Sequence, residues 1–413
     1  MENQKRIPMT SRFRFVPPAG TPVSVADVLS SVGAALTRGD AVQQFKRDLR
    51  AYVGVRFCEL VSTGRAAMTL ALLALKALDG GRRNEVVIPS YTCFSVPSSI
   101  VKAGLKVRLA DVDPVTLDFA PGEIERLDGA RVLAVVATNL YGFPNDLAAI
   151  TKLARERGMY VVDDAAQCLG ASIGGRQCGT WGDVGLYSFD KGKNVTSIDG
   201  GVLVTNSEPV AEAIAQQTYG LRGCTAAESA AHLVKLLVYA ALLHPRRYWL
   251  PNSLPFLGLG TTAYRTDYPL AQYDEWMAPM GHRLLGRLDA TTARRRANAE
   301  RYERLLPWGP KLQAIVPRRG AVPAYLRFPV LIHPEYRDPV LTALRANGIG
   351  ATASYPTAIS DVPALKSDLR AGDWKGIGGQ EIARRILTLP THGYVTDQDQ
   401  DRIVKVIANV LSA

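Results

Sequence analysis

The sequence lacks long hydrophobic runs and internal repeats, and each absence excludes a class of protein. Its longest apolar run, residues 233–243, is interrupted by Lys235 and falls well short of the roughly 20 apolar residues that a membrane-spanning helix needs. The 413 residues contain no repeat or low-complexity tract, which excludes solenoid and fibrous proteins. With 47% hydrophobic and 21% charged residues, the chain has the composition of a globular protein with room for two domains.

Paired cysteines are also lacking, which argues against zinc-finger, redox and disulfide-rich proteins. No C-x-x-C spacing occurs, and the cysteines are odd in number and scattered: Cys58, Cys93, Cys168, Cys178 and Cys224. We expect them to be buried free thiols in a reducing compartment. The first fifteen residues, MENQKRIPMTSRFRF, contain no apolar signal-peptide core. These features predict a cytoplasmic protein without a bound metal.

Negative charge is in short supply: 38 Asp and Glu face 49 Lys and Arg, a net charge of +11. Such an excess suits an anionic ligand, an acidic membrane surface or nucleic acid. The run Arg294-Arg295-Arg296 has no interleaved aromatic residues, so we interpret it as a solvated helix face and expect no nucleic-acid partner. The run 233–243 and the basic segment after it could rest on an anionic membrane, but core packing or a dimer contact is favoured.

From residue 57 to 206 the chain alternates short β-rich runs with helical patterns. Strands are predicted at 57–61, 86–89, 106–111, 132–138, 159–163, 184–189 and 201–205, with helices such as 66–77, 96–103 and 147–156 between them. This alternation predicts an α/β fold with a mostly parallel central sheet and helices on both faces. Such sheets bind ligands just beyond the carboxyl ends of their strands, so we sought the chemistry there.

After residue 207 the alternation stops. Residues 226–274 fit no such pattern, whereas later segments predict a helix at 283–306, a strand at 327–332, a helix near 339–346, a strand near 351–355 and a terminal helix after Thr396. We therefore predict an N-terminal extension at 1–22, a large domain at 23–290 and a smaller C-terminal α+β domain at 291–413.

Asp164 follows a hydrophobic strand that begins at Met159. A buried carboxylate at a strand end is costly unless a cation meets it, and the protonated ring nitrogen of pyridoxal phosphate would do so. Alternation along the strand sends its neighbour Asp163 to the opposite face of the sheet. Asp164 is therefore a candidate cofactor contact; the alternative is that it only caps the next helix.

Lys193 lies five residues after Ser188, in a glycine-containing turn between two predicted strands. A lysine there can project into a cleft and react with an aldehyde. Lys191 is an immediate rival, and the spacing from Ser188 and Asp164 favours Lys193.

Gly64 and Arg65 open a helix directly after a strand, so free backbone amides and the positive end of the helix dipole point over the sheet. A phosphate fits this position, and the Ser188 hydroxyl could add a contact. A phosphate seat, an acidic strand end and a turn lysine thus occur in one predicted sheet.

These residues lie in motifs that resemble the DegT family of pyridoxal-phosphate sugar aminotransferases, which have the aspartate aminotransferase fold, fold type I. The resemblance runs from about Val23 to the C-terminus, leaving aside 226–274, and is carried by AVQQFKRDLRAYVGVRFCELVSTGRAAMTLAL, EVVIPSYTCFSVPSSIVKAGLKVRLADVDPVTLDF, VVDDAAQCLGA and GLYSFDKGKNVTSIDGG. It implies that Lys193 binds the cofactor covalently and that Asp164 contacts its ring nitrogen. The other cofactor contacts that it implies are Gln167 near the ring and Gly64, Arg65 and Ser188 at the phosphate.

The chain departs from the family pattern at several positions. Arg65 stands where Thr is usual, and Cys93 stands where an aromatic residue commonly stacks on the cofactor ring, with Tyr91 or Phe94 as substitutes. Asn139 replaces a frequent His before Leu-Tyr-Gly. The loop that supplies an asparagine to the neighbouring subunit's phosphate has no match, because residues 226–274 replace it.

The resemblance implies transamination between an amino donor, most often glutamate, and a keto-sugar acceptor, mainly a nucleotide-linked one. It also implies a homodimer with shared active sites. Lys193, in place of the histidine of the family's sugar dehydratases, favours transamination over deoxygenation. Two alternatives stay open: another pyridoxal-phosphate reaction, such as dehydration or elimination on a specialised metabolite, and a non-catalytic regulator that keeps the fold.

Overall fold

The computed structural model describes residues 14–37, 39–253, 263–370 and 376–413. Its strands are β1 (Phe57–Val61), β2 (Glu85–Pro89), β3 (Lys106–Ala110), β4 (Val132–Thr138), β5 (Tyr160–Asp164), β6 (Ser172–Ile173), β7 (Arg176–Gln177), β8 (Val184–Ser188), β9 (Gly201–Thr205), β10 (Leu312–Ala314), β11 (Ala321–Val322), β12 (Phe328–Ile332) and β13 (Ile386–Leu389). Its α-helices are α1 (Val25–Thr37), α2 (Ala41–Val53), α3 (Gly64–Leu78), α4 (Ser95–Lys102), α5 (Leu147–Glu156), α6 (Glu208–Thr218), α7 (Ala226–Leu242), α8 (Pro245–Asn252), α9 (Ala278–Leu285), α10 (Leu288–Leu305), α11 (Pro334–Ala346), α12 (Ile377–Arg385) and α13 (Asp397–Leu411).

Seven strands form the central sheet in the order β1-β9-β8-β5-β4-β2-β3. Strands β3, β2, β4, β5 and β8 run parallel, whereas β9 and β1 add an antiparallel edge. Along β2, Val86 and Ile88 pack into one core and Val87 into the other, because helices cover both faces of the sheet. The predicted α/β fold with a mostly parallel sheet is confirmed.

A second antiparallel sheet, β10-β12-β13, lies in the C-terminal part of the chain. The terminal helix begins where the sequence predicts, since Thr396 and Asp399 form a capping box. The predicted strand near 351–355 is wrong: Thr352 makes a single bridge to Thr388, and Ser354 takes a left-handed backbone conformation with φ of 49° that ends any extended run. The predicted helix at 283–306 is two helices, α9 and α10, separated at Gly286. The division into domains at residues 22 and 290 stays a prediction.

The interpretation of residues 294–296 as a solvated helix face is wrong for Arg295, whose side chain is fully buried. Its guanidinium donates hydrogen bonds to the carbonyl oxygens of Gly20 and Leu326, at 2.7 and 3.0 Å, and to the Thr391 hydroxyl at 3.1 Å. The buried face of α10 follows the helical repeat and comprises Leu288, Thr292, Arg295, Asn298, Ala299 and Tyr302. Arg295 therefore satisfies backbone acceptors inside the protein.

Helices α7 and α8 occupy much of the segment that the sequence pattern leaves unplaced. Leu236 and Ala240 of α7 are buried in the core, as the favoured interpretation expects, whereas Val234 and Val238 are exposed. Within the described residues, no single helix is apolar and long enough to cross a membrane; α7 and α8 pass that test only as a pair, and the pair is bent by 120°. Residues 254–262 of this segment lie outside the described residues.

The Nδ1 atom of His232 on α7 lies 2.8 Å from an Oδ atom of Asp274, which also accepts a hydrogen bond from the Ser229 hydroxyl at 3.0 Å. These contacts fasten α7 to Asp274, which lies shortly before α9. Cys224 joins the pair, and the three ligand-type atoms lie within 4.8 Å of one another. That the chain binds no metal stays a prediction. All five cysteines are free; Cys168 and Cys178 are buried, and the other three are half-buried.

Candidate active site

The paired aspartates at the end of β5 have opposite surroundings. Asp163 accepts hydrogen bonds from the Asn139 side chain at 2.9 Å and from the backbone amides of Gly179 and Trp181 at 2.7 and 3.1 Å. Asp164 lies on the other face, as alternation predicts, and accepts one hydrogen bond, from the amide of Ala166 at 3.0 Å. Burial raises the pKa of Asp164 to about 6, against the opposing influence of that amide and of Lys193. This carboxylate is therefore one that a cationic partner would stabilise.

The first turn of α3 lies beside Asp164. The Thr63 side chain caps the helix by accepting a hydrogen bond from the amide of Ala66 at 2.9 Å. The amides of Gly64 and Arg65 lie in the same first turn, where amides have no intrahelical acceptor. A Cβ atom on Gly64 would lie 2.9 Å from the Cβ and Oγ atoms of Ser188, so only glycine allows the helix to approach the serine this closely. The predicted phosphate residues thus come together at one helix N-terminus.

Lys193 lies in the loop between β8 and β9, half-buried, with its amide donating to the Asp190 carbonyl oxygen at 3.1 Å. The Thr21 hydroxyl donates to the Lys193 carbonyl oxygen at 2.7 Å, which ties this loop to the N-terminal segment. Its rival Lys191 is exposed. The backbone contacts hold Lys193 in place at the rim of the site.

A cavity of about 430 Å³ brings these groups together. Its lining includes six of the predicted site residues: Gly64, Arg65, Cys93, Asp164, Ser188 and Lys193. A second cavity, of about 330 Å³, shares Cys93, Asp190 and Lys193 with the first. Below, they are called the inner cavity and the outer cavity. Lys191 borders only the outer cavity, which favours Lys193 as the lysine of the inner one.

Two predicted residues lie elsewhere. Gln167 borders the outer cavity, where its side chain accepts the amide of Tyr141 at 2.9 Å and donates to the Tyr355 hydroxyl at 3.0 Å. Tyr91 borders neither cavity. It is 1% exposed and its hydroxyl turns toward Tyr141 and the Tyr355 backbone, because the strand end after β2 buries its ring in the core. The structure thus leaves Cys93, and not Tyr91, at the cavity wall.

The lining of the inner cavity also includes polar residues that were not predicted, among them Asp190, Asp199 and Tyr268. Asp190 and Asp199 add carboxylates; burial, with Asp190 nearby, raises the pKa of Asp199 to about 6. The side chain of Arg65 lies over the ring of Tyr268, 5.8 Å from its centroid. The motif around Lys193 contains both aspartates and could have indicated them, whereas Tyr268 lies in the segment that fits no sequence pattern.

Comparisons with known proteins place the chain in one family. Residues 24–408 match the DegT/DnrJ/EryC1/StrS aminotransferase family. The pleiotropic regulatory protein of Geobacillus stearothermophilus is 26% identical over 371 residues, 90% of this chain and 89% of that protein. The dTDP-4-dehydro-2,3,6-trideoxy-D-glucose 4-aminotransferase of Saccharopolyspora spinosa is 27% identical over 381 residues, 91% of this chain and 90% of that protein.

A solved structure, that of the aminotransferase TlmJ from Streptoalloteichus hindustanus, superposes with a TM-score of 0.75 at 26% identity, and the match covers 96% of this chain and 99% of that one. The fold-type I architecture implied by the sequence motifs is therefore confirmed. With a family match over nearly the whole chain and a shared fold, the protein is an enzyme that belongs to the DegT/DnrJ/EryC1/StrS aminotransferase family.

Proposed function

We propose that this enzyme uses pyridoxal 5'-phosphate to transfer an amino group from an amino acid, such as glutamate, to a keto-sugar carried on a nucleotide. The observation that carries the proposal is the inner cavity, whose wall combines Lys193, Asp164 and the N-terminus of α3. A lysine, a buried carboxylate and an anion-binding helix end are the three groups that this cofactor requires.

The residues present fit the cofactor. The carboxylate of Asp164 has one amide donor and is otherwise open to the cavity, so a protonated ring nitrogen would supply the missing partner. The close approach of Gly64 to Ser188 forms a cradle that a side chain would fill. Arg65, half-buried beside Tyr268, adds a positive charge at the position proposed for the phosphate.

When bound, pyridoxal phosphate supplies an aldehyde and an electron-withdrawing ring. The amine of Lys193 is the group that we assign to the aldehyde and to moving a proton to and from the substrate carbon. Asp164 would hold the ring nitrogen protonated, while the amides of α3 and the Ser188 hydroxyl would orient the phosphate. Cys93 offers a thiol at the wall where an aromatic ring is usual in the family, so binding would depend more on these polar contacts.

The test is a comparison of Lys193→Ala with Lys191→Ala. Borohydride reduction of the cofactor-loaded protein, followed by digestion and mass measurement, should place the cofactor on the peptide that contains Lys193. The visible-edge absorbance of the loaded protein should bleach with glutamate in the wild type and in Lys191→Ala, and should be absent in Lys193→Ala. A label on Lys191, or on no lysine, would contradict the proposal.

Two alternatives have separate readouts. A regulatory role is favoured by the similarity to the Geobacillus regulatory protein, and it predicts cofactor binding without bleaching by any amino donor. Dehydration or elimination on a specialised metabolite predicts turnover that leaves the amino donor unused. A screen of nucleotide-linked 3-keto- and 4-keto-sugars against the amine form of the enzyme, with product mass as readout, separates both from transamination.

We further propose that the chain acts as a homodimer with shared active sites. The support is the family resemblance and the exposed valines of α7, Val234 and Val238. Light scattering of the purified protein should give twice the mass of 44.7 kDa. The cytoplasmic location stays a prediction.

A further inference from the structure

Arg327 borders the outer cavity. Its side chain is half-buried, and its guanidinium donates to two neutral hydroxyls, of Thr352 at 3.0 Å and Ser354 at 3.5 Å. Within the described residues, no Asp or Glu lies within ion-pair distance of it. A half-buried guanidinium without a counter-ion is poised to bind an anion, since its planar donors match the oxygens of a carboxylate or a phosphate.

The rest of the outer cavity has the same sign of charge. Three cationic residues, Lys191, Lys193 and Arg327, border it. Asp190 is the carboxylate among the lining residues, and it lies beside the two lysines. Asp190 therefore offsets part of the charge of the lysines, and the positive charge of Arg327 is not offset by it.

Backbone strain also gathers around Arg327. Tyr141, Tyr325 and Ser354 have φ values of 58°, 45° and 49°, in the left-handed region that residues other than glycine avoid. The amide of Arg327 donates to the Tyr141 carbonyl oxygen at 3.4 Å, and its guanidinium contacts Ser354. Strain of this kind persists where the surrounding structure enforces it, and such positions cluster at ligand-binding sites.

Four tyrosines also line the outer cavity, and two of them, Tyr239 and Tyr248, come from the segment that the sequence pattern leaves unplaced. Tyr239 and Leu243, at the end of α7, and Tyr248 on α8 border the cavity, opposite Tyr141 and Tyr355. Tyrosines of this kind combine apolar ring faces with hydroxyls that hydrogen-bond to polar substrates.

We propose that the outer cavity is the substrate chamber and that Arg327 determines specificity by binding an acidic group of the substrate. The proposal rests on the proposed function, because the chamber opens onto Lys193 through the shared wall. The acidic group has two possible sources, the carboxylate of the amino donor and the phosphate of the acceptor, and Arg327 binds either through the same paired donors.

The test is direct binding of two probes to the cofactor-loaded protein, measured by calorimetry. Glutarate stands for the donor carboxylate and inorganic pyrophosphate for the acceptor phosphate. Arg327→Gln should weaken binding of one or both probes by tenfold to a hundredfold, the range of a lost charge-assisted hydrogen bond. Arg319→Gln is the matched control, since Arg319 is exposed and borders neither cavity.

Each outcome either assigns a ligand to Arg327 or contradicts the proposal. Weaker glutarate binding alone assigns Arg327 to the donor, and weaker pyrophosphate binding alone assigns it to the acceptor. If neither probe binds the wild type, or if both bind Arg327→Gln as they bind Arg319→Gln, the proposal is wrong. Arg327→Lys, which keeps the charge without the paired donors, should give an intermediate loss and replaces the glutamine variant if that variant melts at a lower temperature than the control.

Kinetics separate this proposal from the proposed function. If glutamate bleaches the wild type, Arg327→Gln should raise the glutamate concentration at half-maximal rate and change the limiting rate less than threefold when the donor is the ligand. If no amino donor bleaches the wild type, the aminotransferase proposal fails, while the calorimetry still decides whether Arg327 binds an anion.

Discussion

Two consecutive residues, Asp163 and Asp164, show that adjacent carboxylates on one strand can have different roles, because their side chains lie on opposite faces of the sheet. Asp163 accepts three hydrogen bonds from residues outside its own strand, whereas Asp164 borders the inner cavity and accepts one. Asp164→Asn should therefore slow the bleaching by glutamate by about 100-fold or more, because it removes a charge aimed at the reacting ring. The melting temperature should hold or rise, because a costly buried charge is gone.

Asp163→Asn is the matched control for that substitution. It should lower the melting temperature, since an amide cannot accept from all three donors without leaving one unsatisfied. Equal rates in the wild type and Asp164→Asn would contradict the role given to Asp164.

The raised pKa of Asp164, about 6, predicts a pH dependence of cofactor binding. A cationic ring nitrogen favours the ionised carboxylate, so binding releases a proton wherever the cofactor-free group is protonated. Affinity for pyridoxal phosphate should then fall as the pH drops below about 6, by up to tenfold per pH unit, and should level off above it. Dissociation constants measured between pH 5 and 7 in the wild type and Asp164→Asn test this; parallel curves would contradict it.

At the scale of elements, the N-terminus of α3 is the part of the site most sensitive to added volume. Gly64→Ala places a methyl group 2.9 Å from the Cβ and Oγ atoms of Ser188, so the helix must move away from the phosphate position. We expect at least about a tenfold loss of cofactor affinity, as for one displaced charge-assisted hydrogen bond. Fluorescence titration with pyridoxal phosphate measures it.

Gly33→Ala, in α1, is the control for that substitution, because a Cβ atom at Gly33 has no neighbour within 4 Å. It should leave affinity unchanged and stabilise the helix by about 0.5–1 kcal/mol. An unchanged affinity in Gly64→Ala would remove α3 from the proposed cofactor site.

Elements with a simple pattern are those that the sequence predicts well. The predicted bounds of β1, β4, β9 and α5 agree with the structure at both ends. In each of these elements, turn residues or helix caps stand on either side of a single apolar run. The strand near 351–355 fails because a single residue, Ser354, is bent by contacts with residues distant in sequence. No sequence pattern predicts that α7 and α8 border a cavity, because that depends on packing against segments distant in sequence.

At the site, the family motifs predict six residues that line the inner cavity, whereas Gln167 is the one predicted site residue that borders the outer cavity alone. Gly64, Asp164, Ser188 and Lys193 lie at or shortly after the carboxyl ends of strands, so their meeting point can be inferred from the order of strands along the chain. Arg327 and Tyr248 reach the outer cavity through packing between segments far apart in sequence, which no local pattern records.

At the scale of the whole molecule, Arg295 joins three distant parts of the chain. Its guanidinium binds the N-terminal segment at Gly20, the approach to β12 at Leu326 and the loop at Thr391. Arg295→Met leaves these acceptors buried without donors and should lower the free energy of unfolding by about 3–5 kcal/mol.

Arg304→Met is the control on the same helix, because Arg304 is exposed, and its effect should stay within about 0.5 kcal/mol. Urea unfolding followed by fluorescence measures both. Similar urea midpoints for the two variants would show that the hydrogen bonds of Arg295 do not stabilise the fold.

The inner and outer cavities share Cys93, Asp190 and Lys193, and this common border limits how the enzyme can change. If the outer cavity holds the acceptor, as we propose, a new acceptor would be accommodated by altering α8 and the stretches around residues 327 and 354, which border the outer cavity alone. Directed evolution restricted to those stretches should therefore change which product is made without weakening the binding of pyridoxal phosphate proposed for the inner cavity.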